Sequence, residues 1–266
     1  MTLVTSRHRY SDAEFPQYVN ATLAGLPNVV AVALGGSRGI GTHRPDSDWD
    51  FAVYYRGHFD PADLRAVGWP GAVSELGGWG GGIFNGGGWL EIDGRRADVH
   101  YRDLDDVEHH LAEARAGRFR IEHLMFYLAG VPTYVVVAEL AANVALSGTL
   151  PKPDYPPALR ERAPDAWWAR AELTLDYAVR AHAPRGQLLD CAGAAARACL
   201  EAGNAILAAR GEWVTNEKRL LERAGLRSLD GTLARLVDDP EKALRDLTAS
   251  LREHRPTGTY RQPPPG

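Results

Sequence analysis

The sequence has few of the residues that stabilise small secreted proteins. Its two cysteines, Cys191 and Cys199, are eight positions apart in an alanine-rich segment that is predicted to be helical. That separation is about 12 Å along a helix, which is too far for a disulfide. We therefore expect both cysteines in a hydrophobic core, which a 266-residue chain with 45% hydrophobic residues is large enough to form.

Lysine is also scarce, and basic charge is not in excess. The chain has only three lysines and a formal net charge of −4, so no general positive field is present to hold a nucleic acid. No apolar run reaches 18 residues, and the N-terminal "MTLVTSRHRYSDAEF" lacks the apolar segment of a signal peptide. These absences predict a soluble, cytoplasmic protein without a membrane or nucleic-acid partner.

The first hundred residues carry the patterns of a small mixed domain. A capped helix is predicted over 11–25, and the apolar "VVAVAL" and the alternating "DWDFAVYYRG" are typical of strands. "DPADLRAVG" has the Asp cap and early proline of a helix start. Asp93-Gly94 predicts a hairpin between two further strands.

From about residue 105 the spacing of apolar residues becomes helical, including the segment 120–130. The proline-rich stretch 150–165 is interpreted as a surface connection around one short helix, and the tail from 255 onward as loosely packed. The sequence thus predicts an α+β protein: a mixed-sheet domain over 1–104 followed by a helical bundle over 105–266.

The stretch "GGSRGIG" (35–41) follows the first predicted strand and has the glycines of a dinucleotide-binding turn. In a dehydrogenase this turn opens a helix whose N-terminus binds the pyrophosphate. Here "THRPDSDWD" follows, with a proline and turn residues in place of that helix. The dehydrogenase interpretation is therefore disfavoured.

Two carboxylates after this turn offer another interpretation. Asp48 and Asp50 are two apart in a predicted strand, so their side chains would share a face. Carboxylates that close together repel each other unless a cation binds between them, and oxygen ligands suit Mg²⁺. Gly36 and Ser37 would let backbone and hydroxyl donors approach a phosphate. Asp98 could complete a two-metal site, with Asp93 and Asp103 as competitors for that position.

"GGSRGIGTHRPDSDWDFAVYY" with the later "RRADVHY" resembles the DNA polymerase β-like nucleotidyltransferase superfamily. "RPDSDWDF" is similar to the small bacterial members, which include the antibiotic nucleotidyltransferases of aminoglycoside or lincosamide type and the minimal nucleotidyltransferases. The resemblance implies that Gly36 and Ser37 hold the β- and γ-phosphates. It also implies that Asp48, Asp50 and Asp98 bind Mg²⁺, and that a nucleotidyl group, usually AMP from ATP, passes to an acceptor hydroxyl.

Several further residues have both a functional and a structural interpretation. Arg38 and Arg44 are predicted triphosphate contacts or turn-fixing residues, and Lys218 is a predicted phosphate contact. His100 shares the predicted face of Asp98 and either lines the site or has a structural role. The glycine-rich stretch 77–88 and Trp89 form either a mobile lid that stacks on a base or sugar, or a packed loop.

We therefore expect a Mg²⁺-dependent nucleotidyltransferase that acts on a small hydroxyl-bearing molecule, with an aminoglycoside-like antibiotic as a candidate acceptor. One alternative is a protein- or RNA-modifying nucleotidyltransferase of the toxin–antitoxin type. The other is a catalytically silent nucleotide-binding regulatory protein.

Overall fold

The computed structural model describes residues 8–124 and 126–256. Residues 1–7 and residues 257–266, which include most of the tail predicted to be loosely packed, lie outside these ranges. The chain divides into two compact units by its internal contacts. The first unit consists of Met1–Leu111 and Val136–Pro153, and the second of Ala112–Val135 and Asp154–Gly266.

The first unit is built on a six-stranded sheet in the order β3-β4-β5-β2-β1-β8. The strands are β1 (Val29–Leu34), β2 (Trp49–Tyr55), β3 (Gly71–Val73), β4 (Gly87–Ile92), β5 (Arg95–Asp103) and β8 (Val144–Ser147). The helices between and beside these strands include α1 (Phe15–Leu23), the single-turn α2 (Gly36–Gly39), α3 (Pro61–Ala66) and α4 (Leu104–Arg115). The expected mixed-sheet architecture followed by a helical region is confirmed.

One face of this sheet forms the core of the first unit. Because side chains alternate along a strand, β2 and β5 present every second residue to that face. The core-facing residues of these two strands are Trp49, Phe51, Val53, Tyr55, Ala97, Val99 and Tyr101. Helix α1 packs on the same face through Phe15, Val19 and Leu23. The intervening residues of β2 and β5, including Asp50 and Asp98, therefore face the opposite side.

The local signals in this unit are borne out by backbone geometry. Asp93 and Gly94 both have positive φ, 51° and 70°, as the tight turn between β4 and β5 requires. The Asp60 carboxylate accepts a hydrogen bond from the Ala62 N–H and so caps α3. The sequence patterns thus located these turns correctly.

The segment 120–130 differs from the helical prediction. Ile121–Glu122 and Val131–Pro132 form a two-stranded ladder, β6 and β7, and Phe126 has a left-handed φ of 70°. The N–H groups of Leu128 and Ala129 donate to the Glu217 carboxylate instead of to a helical carbonyl. A side chain distant in sequence therefore replaces the helical hydrogen bonds.

The segment Val136–Pro153 belongs to the first unit. Helix α5 (Val135–Ala142) is followed directly by β8, which pairs antiparallel with β1. This pairing adds residues beyond the expected boundary at 104 to the sheet unit.

The second unit is helical. Its long helices are α6 (Pro157–Tyr177) and α7 (Leu188–Arg210), joined by a π-helical turn and a short 3₁₀ turn; α8 (Leu220–Ala224), α9 (Thr232–Leu236) and α10 (Pro240–Glu253) follow. Helix α6 begins inside the stretch interpreted as a surface connection and contains Pro164. Cys191 and Cys199 are buried free thiols on α7, as expected. Among the described residues, no helix has the length and apolarity needed to cross a membrane.

Two leucines of α6 provide a matched test of its orientation. Leu175 is 2% exposed and Leu173 is 69% exposed. We predict that Leu175→Ala lowers the free energy of unfolding by about 2–5 kcal/mol, because it leaves a cavity. Leu173→Ala should change it by less than about 0.5 kcal/mol. Urea denaturation measures both, and equal losses would contradict the assigned face.

Candidate active site

The glycine-rich turn after β1 lies directly against Asp50. The Gly35 N–H donates to the Asp50 carbonyl oxygen at 2.7 Å. Gly36 has a φ of +57°, and a Cβ on it would lie 1.7 Å from Asp50 Oδ2. Only glycine therefore allows this turn to approach the Asp50 carboxylate so closely. Ser37 follows Gly36 in the single turn of α2 and is half-buried.

A second carboxylate stands beside Asp50 on the neighbouring strand. Strands β2 and β5 are parallel, and their register places Asp50 opposite Asp98 and Ala52 opposite His100. One ligand atom from each of Asp50, Asp98 and His100 lies within 4.8 Å of the others. Two strands thus bring two carboxylates and an imidazole to one place on the sheet, where a divalent metal ion could bind.

His100 has the properties of a neutral nitrogen ligand. Its Nδ1 atom is shielded from solvent and has no hydrogen-bond partner in the described part of the chain. Burial, together with the nearby Arg102 cation, lowers the pKa of His100 to about 4. The imidazole is therefore uncharged at neutral pH and offers a nitrogen lone pair. A shielded nitrogen without a partner, beside two carboxylates, fits a bound divalent metal ion.

Asp48 lies just before the strand that carries Asp50. Strand β2 begins only at Trp49, so alternation does not determine the direction of Asp48. Its Oδ1 atom lies 2.8 Å from Arg96 Nε on β5. Asp48 therefore forms an ion pair with Arg96, and within the described chain the residues that could hold a metal ion together are Asp50, Asp98 and His100.

The two competitors of Asp98 have structural partners. Asp93 accepts hydrogen bonds from the N–H groups of Arg9 and Tyr10 and pairs with Arg95. Asp103 accepts from the Asp105 N–H at the start of α4. Both carboxylates therefore fix chain turns away from the cluster.

The predicted cationic contacts lie in three different settings. The Arg38 guanidinium stacks 3.9 Å from the Trp49 ring centroid, donates to the Ser47 carbonyl, and is only 5% exposed. Arg44 is exposed in the loop, where its N–H donates to Ser47 Oγ. Lys218 is exposed in the second unit, in the turn before α8. The Arg38 contacts tie the glycine-rich turn to the loop that precedes Asp48.

Sequence reasoning missed a buried polar group next to the cluster. Arg102, two residues beyond His100, forms a two-point ion pair with Glu139 of α5 at 2.7 and 2.9 Å. The Arg102 cation lowers the pKa of the Glu139 carboxyl despite the burial of that group. Asn143, just after α5, donates to Tyr54 Oη, and its Oδ1 borders Gly35. The alternation of Asp98, His100 and Arg102 in "ADVHYRD" was the available signal.

Comparison with known families covers the turn and the first strand pair. Residues 19–79 match the family model of the nucleotidyltransferase domain. This segment contains Gly36, Ser37, Asp48 and Asp50, and it ends before Asp98. No curated protein matches the chain significantly. The match supports nucleotidyl transfer in general.

Gly36 and Gly41 allow a matched test of the turn. Both have positive φ, but a Cβ on Gly41 meets no atom within 4 Å. We predict that Gly41→Ala costs about 1–2 kcal/mol of unfolding free energy from backbone strain alone. Gly36→Ala should cost clearly more, because the methyl group also displaces the Asp50 carboxylate. Chemical denaturation measures both losses, and equal values would contradict the contact.

The lowered pKa of His100 predicts a pH dependence of stability. An unfolded histidine titrates near 6.5, whereas folded His100 titrates near 4. The unfolded state therefore binds more protons between these values, and stability is lost as pH falls through this window. His100 should contribute a loss of about 2 kcal/mol between pH 7 and pH 5. Denaturation in EDTA should show a shallower decline for His100→Gln, and an unchanged slope would refute the assignment.

Proposed function

We propose that the protein is a Mg²⁺-dependent nucleotidyltransferase that moves a nucleotidyl group, AMP from ATP in the first instance, onto a hydroxyl of a small molecule. The observation that carries this proposal is the register of Asp50 with Asp98 beside the Gly36–Ser37 turn. The nucleotidyltransferase match over 19–79 supports the same chemistry.

In this proposal the turn binds the triphosphate. The Gly36 backbone, which has no side chain to block an approach, and the Ser37 hydroxyl would receive the β- and γ-phosphate oxygens. Arg38 would support triphosphate binding indirectly, because its guanidinium stacks on Trp49 and so holds the turn in place. Arg44 and Lys218, both exposed, remain proposed contacts for the phosphates.

Asp50 and Asp98 would hold the divalent cation, with His100 or Asp48 as a further ligand. When bound, the metal ion would neutralise charge on the attacking and leaving oxygens. Because the donor set includes an imidazole nitrogen, Mn²⁺ is a reasonable substitute for Mg²⁺ in assays.

The proposed transfer needs no reactant besides the nucleoside triphosphate and the acceptor. The acceptor oxygen forms a bond to the α-phosphorus while the bond from that phosphorus to the bridging oxygen breaks. Pyrophosphate leaves with the electron pair, and the acceptor hydroxyl releases its proton. Asp98, at the centre of the cluster, is the proposed recipient of that proton when it is not fully occupied by metal.

An aminoglycoside-like molecule is our candidate acceptor, because a polycationic ring compound would be attracted to the carboxylates of this face. We further propose that the helical region 105–266 contributes to acceptor binding. Activity against such an antibiotic would make the protein a resistance enzyme.

The test compares carboxylate variants in a pyrophosphate-release assay with ATP, GTP, CTP and UTP and a library of hydroxyl-bearing acceptors. Asp50→Asn and Asp98→Asn should each lower kcat about a hundred- to a thousandfold, since removing one charge-stabilising group typically has such an effect. Asp48→Asn should have a smaller effect if its partner is Arg96 rather than the metal ion.

Asp46→Asn is the control, because Asp46 is an exposed residue of the same loop. It should retain wild-type turnover. Binding of the nucleotide with Mg²⁺ but no turnover across the whole library would favour a silent nucleotide-binding module. Full activity in Asp50→Asn would refute the mechanism.

A further inference from the structure

The glycine-rich stretch 77–88 packs a tryptophan pair beside the carboxylate cluster. Trp79 and Trp89 are stacked, with ring centroids 5.0 Å apart and planes 17° from parallel. A Cβ on Gly87 would lie 2.4 Å from a Trp79 ring carbon, so the absence of a side chain at Gly87 makes room for that ring. The edge of Trp79 also contacts His100, at a centroid distance of 5.4 Å. The loop is thus packed against the sheet through Trp79.

Trp89 continues the row of residues that crosses the sheet at the cluster. Strand β4 pairs antiparallel with β5, and Trp89 lies directly opposite Asp98. Residues directly opposite each other in an antiparallel pair share a face, with Cβ atoms about 5 Å apart. Asp98 lies opposite Asp50, and Asp50 contacts the Gly36 turn. The order across the sheet is therefore turn, Asp50, Asp98, Trp89.

This order assigns sides to the two substrates. In a phosphoryl displacement the attacking and leaving oxygens lie on opposite sides of the phosphorus. The turn would hold the leaving pyrophosphate at the Asp50 end of the row, with the α-phosphorus over Asp50 and Asp98. The attacking hydroxyl then approaches from the other end, where Trp89 stands.

Trp89 has an exposed surface available for that approach. The side chain is 47% exposed even though it stacks on Trp79, a large fraction for an indole on a strand between two others. An indole ring offers a flat apolar surface with a negatively polarised face. The ring of a cyclic polyol, whose C–H groups carry partial positive charge, matches this surface, whereas an extended polyol does not.

We propose that the Trp79–Trp89 pair is the acceptor subsite of this protein and binds the ring of a sugar-like acceptor, not the nucleotide base. Trp89 contacts the acceptor ring, and Trp79 is a positioning residue that holds Trp89 through their stacking. This inference rests on the proposed function for its direction of attack, and it adds the residues that bind the acceptor ring.

The first experiment needs no turnover. The full chain is labelled with 5-fluorotryptophan, and the ¹⁹F signal of Trp89 is assigned with the Trp89→Phe variant. Methyl glucoside and glucosamine serve as cyclic probes, sorbitol as an acyclic control, and α,β-methylene-ATP with Mg²⁺ as the nucleotide probe. The cyclic probes should shift the Trp89 signal, and the nucleotide and sorbitol should leave it unchanged. A shift with the nucleotide alone, an equal shift with sorbitol, or no shift with the cyclic probes overturns the assignment.

The second experiment uses kinetics with an acceptor that the wild-type protein turns over. Trp89→Ala should raise the KM for that acceptor about tenfold while the KM for the nucleotide changes less than about twofold, because only the acceptor ring loses its contact. Trp89→Phe should restore part of the loss, since a smaller flat ring remains. Leu76→Ala, an exposed apolar residue of the neighbouring turn, is the matched control and should behave as wild type.

The two experiments separate the inference from the function on which it rests. A raised KM for the nucleotide with an unchanged KM for the acceptor overturns the acceptor subsite but leaves nucleotidyl transfer intact. Absence of turnover with every acceptor contradicts the proposed function, and the ¹⁹F measurement still decides what the tryptophan pair binds.

Discussion

The parallel register of β2 and β5 is the constraint on which the candidate site depends. It sets Asp50 opposite Asp98 and, two residues on, Ala52 opposite His100. A shift of one residue would turn a whole strand over, because side chains alternate between the faces of a sheet. The apolar residues Trp49, Phe51 and Val99 on the other face oppose such a shift, since it would expose them. The same burial that stabilises the sheet therefore keeps the carboxylates together.

One face of the sheet forms the hydrophobic core, and the other face carries the residues of the candidate site. The core face is apolar and aromatic, while the opposite face carries charged groups that need partners. Arg102 is 2% exposed and is matched by the Glu139 carboxylate, since an unpaired charge in this position would be costly. Burial, aided by the nearby Arg102 cation and opposed by the Glu139 carboxylate, lowers the pKa of His100 and keeps that imidazole neutral. Around it, Gly35 and Gly36 provide the close approaches to Asn143 and Asp50 that a side chain would prevent.

Much of this arrangement could be predicted from local sequence. The Asp93-Gly94 turn predicted the hairpin correctly. The structure places Asp98 of that hairpin opposite Asp50, whereas Asp93 and Asp103 have other partners. Asp48 was harder, because its partner Arg96 is determined by the pairing of two strands and not by the spacing of residues within one. Arg102 followed the same alternation as Asp98, but its role depends on Glu139, which reaches it only in the folded chain.

Segments whose partners are distant in sequence were predicted least well. The helix expected over 120–130 does not form, because Glu217 accepts hydrogen bonds from the N–H groups of Leu128 and Ala129. The sequence around strand β8 has a helical pattern, so this strand was not predicted. Its pairing with β1 is a tertiary contact, which local sequence does not show. The glycine-rich stretch was open to two interpretations, lid or packed loop. The stacking of Trp79 on Trp89 and over Gly87 favours the packed loop, in which Trp89 is 47% exposed.

The central claim is that Asp50 and Asp98 together bind a metal ion that carries a nucleotide. A crystal of the protein grown with Mn²⁺ and α,β-methylene-ATP would test it most directly, because manganese can be located by its anomalous scattering. The account predicts an anomalous peak in ligand contact with both carboxylates and with a phosphate oxygen, and the terminal phosphates at Gly36 and Ser37. Nucleotide bound elsewhere, or manganese coordinated without Asp50 and Asp98, would contradict it.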